Sequence, residues 1–212
     1  MKFATEKLVT VLALGACLGA GLGACAPLIV GGAVMGSLMA TDRRTAGAQV
    51  EDEGIELRAA SRLREKLGER GHINVVSYNR QVLLTGEVPN AQDKQLAEQV
   101  VSRVENVRVI FNELGIQANT TVSQRSSDVL ITGRVKAALV DAKDLFANSF
   151  KVVTERGTTY LMGRVTQREA NRATDIARST SGVLKVVRVL EIISEDELQG
   201  MLPKPAPAEV KK

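Results

Sequence analysis

The sequence contains no tryptophan, and aromatic side chains make up only 3% of its 212 residues. Stacking platforms of the kind that single-strand binders need are nearly absent, so no nucleic-acid partner is expected. Any core must be built from Val, Leu, Ile and Ala. His72 is the only histidine, which excludes multi-histidine metal sites and leaves little basis for His-mediated acid–base chemistry. Its place in a Gly-rich turn reads as a solvated loop position. Both cysteines, Cys17 and Cys25, lie in the first apolar stretch, so the rest of the chain has no internal disulfide or thiolate metal site. Charge of one sign is also scarce, with 28 basic and 24 acidic residues giving a net +4, enough for weak attraction to anionic surfaces. Ser61, Ser126 and Ser127 lack a recognisable base, and Gly31-Gly32 has no phosphate-loop Lys. Glu51, Asp52 and Glu53 do not form a calcium loop and read as a solvated acidic run. Neither an enzyme nor a cofactor is expected.

What the sequence does have begins at the N-terminus. Lys2 and Lys7 precede a stretch without charge from Leu8 to Thr41, which starts like a secretory signal peptide. Leu-Gly-Ala-Cys occurs twice within it, ending at Cys17 and Cys25, and resembles a bacterial lipobox. Cys25 leaves room for a full apolar region before it and is the favoured lipidation site. The following Ala26, in place of Asp, implies outer-membrane sorting. A single transmembrane helix over residues 8–40 is the other reading, because the stretch exceeds the roughly 20 residues that cross a bilayer. Seven glycines between positions 15 and 36 weigh against it.

The remainder is organised by a repeat. Val75-Val76-Ser77 leads through Asn79-Arg80 into Val82–Val88, and Val152-Val153-Thr154 leads through Arg156-Gly157 into Tyr160–Val165. Each copy reads as a β-hairpin with a glycine, Gly86 or Gly163, near the end of its second strand. A capped helix follows each, from Asn90 with Asp93 and from Thr166 with Glu169, carrying Leu96, Val100 and Val104 in one copy and Ala173, Ile176 and Thr180 in the other. A last strand begins near Val107 and near Val183. Upstream helical patterns, Leu57, Leu63 and Leu67 and then Ile131, Val135, Ala138 and Leu139, complete αββαβ twice. The expected fold is therefore α+β, two tandem domains, each a small three-stranded sheet packed by two helices. The expected layout is a lipoprotein signal peptide over 1–24, an acylated cysteine and tether over 25–54, domains at 55–116 and 128–193, a linker over 117–127 and a disordered tail over 194–212.

The paired motifs Leu83-Leu84-Thr85-Gly86-Glu87-Val88 and Tyr160-Leu161-Met162-Gly163-Arg164-Val165, with Gly182-Val183 before the last strand, resemble BON domains. Two such domains behind a lipobox are similar to the dual-BON outer-membrane lipoproteins, most closely over 40–44 and 161–170. That resemblance implies a periplasm-facing lipoprotein that binds anionic phospholipid, supports envelope integrity, and associates with division sites and outer-membrane assembly proteins. The second domain carries eleven basic and seven acidic residues against nine and eight in the first, which favours it as the membrane-facing one. Val129, Leu130, Arg134 and Lys136 are the candidate lipid-binding residues, on the sides of a helix that its core face leaves outward. Relatives commonly place an aromatic where Leu130 stands. Packing of Val129 and Leu130 on the linker or on the first domain is the alternative for that face. For the protein as a whole, the alternative is a membrane-tethered protein-interaction module without lipid recognition.

Overall fold

The computed structural model describes residues 42–201. The first domain runs α1 (Ala46–Leu67), β1 (His72–Tyr78), β2 (Gln81–Val88), α2 (Ala91–Ser102), β3 (Val109–Asn112) and β4 (Gly115–Ile116). The second runs α3 (Val122–Asp141), a short 3-10 turn (Ala147–Ser149), β5 (Phe150–Glu155), β6 (Thr158–Thr166), α4 (Gln167–Ser179) and β7 (Lys185–Ile193). A final helix, α5 (Glu195–Met201), follows. In each domain the hairpin is antiparallel and the last strand runs parallel to its second arm. In the first domain that last strand is interrupted, and β3 and β4 pair with successive parts of β2.

Local chemistry sets these boundaries. Thr45, Asn90, Thr121 and Thr166 cap α1 to α4 by accepting an amide of the first turn, which satisfies one of the four amides a helix start leaves unpaired. Both hairpins close through two residues with positive φ, Asn79 and Arg80 at 51° and 64°, Arg156 and Gly157 at 50° and 69°. That geometry matches the twist of the flanking strands. At Gly86 a Cβ would run into the carbonyl oxygen of His72 on the partner strand, and at Gly163 into that of Ser149 just before β5. The repeated glycine thus marks a close backbone approach in both copies.

Each sheet covers its own core on one face. Val75, Val82, Leu84 and Val88 meet Ile55, Ala59, Leu63 and Leu67 of α1 and Ala97 and Val101 of α2. Val152, Leu161 and Val165 meet Ile131, Val135 and Leu139 of α3 and Ala170, Ala173 and Ala177 of α4. The opposite faces pack on one another. Val76, Tyr78 and Leu83 join Tyr160, Met162 and Val189 in a third apolar cluster, so the two repeats form one compact unit.

Several expectations are corrected. Leu57 is 73% exposed; six residues separate it from Leu63, which at 100° per residue turns them to different sides of the helix. α1 begins at Ala46, inside the expected tether, and α3 begins at Val122, inside the expected linker. The start of α3 was written in the chain as Thr121-x-x-Gln124, a capping box that forms in full. Residues 195–201, expected in the disordered tail, are helical, with Leu198 buried. Asp52 is not part of a solvated run. Only 1% exposed, it accepts from the amides of Asn79 and Arg80 and from Ser77 Oγ.

Candidate functional site

Helix α3 carries apolar residues on both sides. Inward it buries Ile131, Val135 and Leu139; outward, Val122, Val129, Leu130 and Val140 stay exposed. A helix of this kind departs from the one-striped pattern of an ordinary surface helix and has surface left for a second partner. Of the four residues proposed from sequence, Val129 and Leu130 are 70% and 62% exposed, and Arg134 and Lys136 are also exposed. All four lie within two turns of one helix. Arg134 donates to the Ser181 carbonyl at 3.3 Å, which draws the loop before β7 toward the helix.

That loop brings residues which periodicity did not single out. Asp128 accepts from the amides of Arg156 and Gly157, both at 2.8 Å. Gly157 accepts in turn from the Leu184 amide at 2.8 Å. The outer part of α3, the β5–β6 turn and the β7 loop therefore meet at one end of the domain. Leu184 stands there 84% exposed, followed by the exposed Lys185. The signal was Gly182 itself: with φ at 95° and Ile131 and Arg134 against the place of its missing Cβ, it turns the chain sharply and sends Leu184 outward.

A second group of polar side chains sits where the domains meet. Arg156 of the β5–β6 turn donates to Glu87 at 2.7 Å and to the Gly86 carbonyl at 2.6 Å, and Thr120 donates to the same carboxylate. Burial would raise the Glu87 carboxyl, but these donors outweigh it and hold it below the usual carboxylate range. Glu155, one residue before Arg156, has the opposite fate. Burial, with Glu87 and Asp128 nearby, pushes its carboxyl up to about 7. His72 stands 3.6 Å from Glu87; it opens β1 and is partly covered, not the solvated loop residue expected. A cavity of about 410 Å³ lies alongside, lined by His72, Asn74, Arg125, Asp128, Val129 and Glu155.

The order of elements and the paired hairpin glycines recur in sequence. Residues 52–118 and 127–194 each match the BON domain. The chain belongs to the BON-domain family. Among curated relatives it is 36% identical over 171 residues to the outer membrane lipoprotein DolP of Haemophilus influenzae, covering 80% of this chain and 89% of that protein. It is also 36% identical over 154 residues to the 21 kDa hemolysin of Actinobacillus pleuropneumoniae, covering 72% of this chain and 79% of that one. Among solved structures, CdsD of the Chlamydia trachomatis type III secretion system aligns at 13% identity over 69% of this chain and 99% of its own, with a TM-score of 0.29, too loose a likeness to bear on function.

The two BON domains are built alike and present different surfaces. Asp52 and Asp128 occupy the same place in each, on the first helix, capping the hairpin turn of their own domain. In the second BON domain that helix exposes Val129 and Leu130 beside Arg134 and Lys136, where the first exposes Val50 and Leu57. Among the described residues no helix is long and apolar enough to cross a membrane. Cys25 and the apolar run over 8–40 lie outside them.

Proposed function

We propose that the chain is an outer-membrane lipoprotein facing the periplasm, anchored through an acylated Cys25, whose second BON domain docks on anionic phospholipid. The observation that carries this reading is the outward face of α3, where Val129 and Leu130 stand exposed beside Arg134 and Lys136. Apolar side chains of this kind enter the boundary between headgroups and acyl chains, while each cation near the surface contributes about 1 kcal/mol. Leu184 and Lys185 repeat the pairing on the neighbouring loop. Through this contact the protein supports outer-membrane integrity, including at division sites. The similarity to the outer membrane lipoprotein of Haemophilus and the small residues before Cys25 support the anchor.

The experiment is sedimentation of the chain with phosphatidylglycerol vesicles and with phosphatidylcholine vesicles. Binding to the first that weakens with salt supports the reading; equal binding to both, or none, removes it. Mass spectrometry of the mature N-terminus tests the anchor, with diacylglycerol on Cys25 expected and an intact Met1 against it.

A second reading rests on β7. This nine-residue edge strand pairs on one side only among the described residues, and it exposes Ile192. A strand from an envelope assembly protein would add there by main-chain hydrogen bonds. Such a partner would leave Leu130 dispensable.

A further inference from the structure

The seam between the BON domains holds side chains that membrane docking does not use. His72 and Glu87 face each other across β1 and β2, and Glu155 ends β5 of the other domain. One ligand atom from each lies within 4.8 Å of the others. His72 Nδ1 is buried without a hydrogen-bond partner, and its 3.6 Å separation from Glu87 Oε2 is too long for a hydrogen bond. Two ligands held about 2.0–2.1 Å from one tetrahedral ion stand roughly 3.4 Å apart, so the pair has the spacing of co-ligands.

Glu155 supplies an independent observation. Its side chain is only 5% exposed, it lines the cavity, and its carboxylate accepts no hydrogen bond from the described residues. The charges around it do not close. Glu87 and Asp128 are each engaged, by Arg156 and Thr120 and by the turn amides. Two guanidiniums, Arg125 and Arg156, stand near three carboxylates, an excess of one negative charge, and among the described residues neither forms an ion pair with Glu155. Imidazole nitrogen with carboxylate oxygen is a donor set that suits Zn²⁺ and its neighbours.

We propose that His72, Glu87 and Glu155 form a binding site for a divalent transition-metal ion of the Zn²⁺ type, which fastens the first BON domain to the second. The ion takes His72 Nδ1, the Glu155 carboxylate and Glu87 Oε2, sharing the last with the Thr120 amide and hydroxyl, 3.2 and 3.1 Å away. Its fourth position opens on the cavity and is filled by water. Because Asp128 and Val129 line the same cavity, the ion also fixes this part of α3 relative to the first domain.

The test is titration of the chelator-stripped full chain in detergent with zinc chloride, followed by calorimetry and thermal melting, beside Glu155→Gln and His72→Asn. The N-terminus is the same in parent and variants, so any metal binding there cancels in the comparison. One saturable equivalent and a raised melting temperature in the parent, both lost in the two variants, are expected. Circular dichroism identifies a variant that has not folded, and the other then decides. No saturable binding by the parent, or the same binding by a folded variant, overturns the site.

Discussion

Arg43, three residues ahead of α1, grips Glu169 of the second BON domain with both arms of its guanidinium, each nitrogen 2.7 Å from one carboxylate oxygen. The pair is closed to solvent, with side chains 5% and 2% exposed, and Arg43 also donates to the Arg164 carbonyl at 2.9 Å. Glu169 is at once the third residue of α4 and the acceptor for the Thr166 amide. The segment just ahead of α1 is thus bound to the domain that comes second in the chain.

Removing one partner of a buried ion pair leaves the other charged and dry, at a cost of about 3–5 kcal/mol. Arg43→Ala is expected to destabilise the chain on that scale in urea unfolding. The effect depends on pH with a definite sign. Burial alone would raise the Glu169 carboxyl, but Arg43 and the Thr166 amide hold it below its ordinary range. The stability this contributes is present above the unfolded pKa, about 4.3, and is lost as pH falls through the lower folded value. Parent and Arg43→Ala should therefore converge on acidification; a difference that stays constant down to pH 2 contradicts the bridge.

Asp52 and Asp128 make the same turn contact in their two domains. Each is buried and satisfies two amides of a hairpin turn, so replacement by Ala leaves those donors without partners at about 1–3 kcal/mol. Melting temperatures of both alanine variants should fall, and further for Asp52→Ala, which also loses the Ser77 hydroxyl and the ion pair with Arg44. A neutral Asp52→Ala would return that residue to the solvated run that the sequence suggested.

Much of this architecture is legible in the chain. The hairpins, the matched glycines and the Thr166–Glu169 capping box are local signals, set by turn chemistry and period. Contacts between the repeats are harder to read, since they join residues far apart. A sign of them is present, however. Val82-Leu83-Leu84 and Tyr160-Leu161-Met162 are unbroken apolar runs where a half-solvated strand would alternate, because each strand is covered on both faces. Asp52 was missed because its neighbours Glu51 and Glu53 are partly or fully exposed, and a run of acids does not reveal which member turns inward. Arg43 and Glu169 lie 126 positions apart in the chain, and only the fold brings them together.

The shared face should make the domains unfold as one. Leu83 and Met162 are fully buried between the sheets, and truncating either to Ala is expected to cost about 2–5 kcal/mol. Leu83→Ala should lower a single transition reported alike by circular dichroism and by probes placed in each domain. Two separate transitions in the parent would contradict a common core.

The proposed lipid-docking face spans α3 and the loop before β7, and placing negative charge there should leave the fold intact. Leu130→Glu and Leu184→Glu replace side chains 62% and 84% exposed, so melting temperatures should hold near the parent value. Sedimentation of both variants and of Leu130→Glu/Arg134→Glu with phosphatidylglycerol vesicles is the decisive measurement. The parent is expected to pellet with the vesicles and the folded variants to remain in the supernatant; variants that pellet as the parent does would contradict lipid docking through α3.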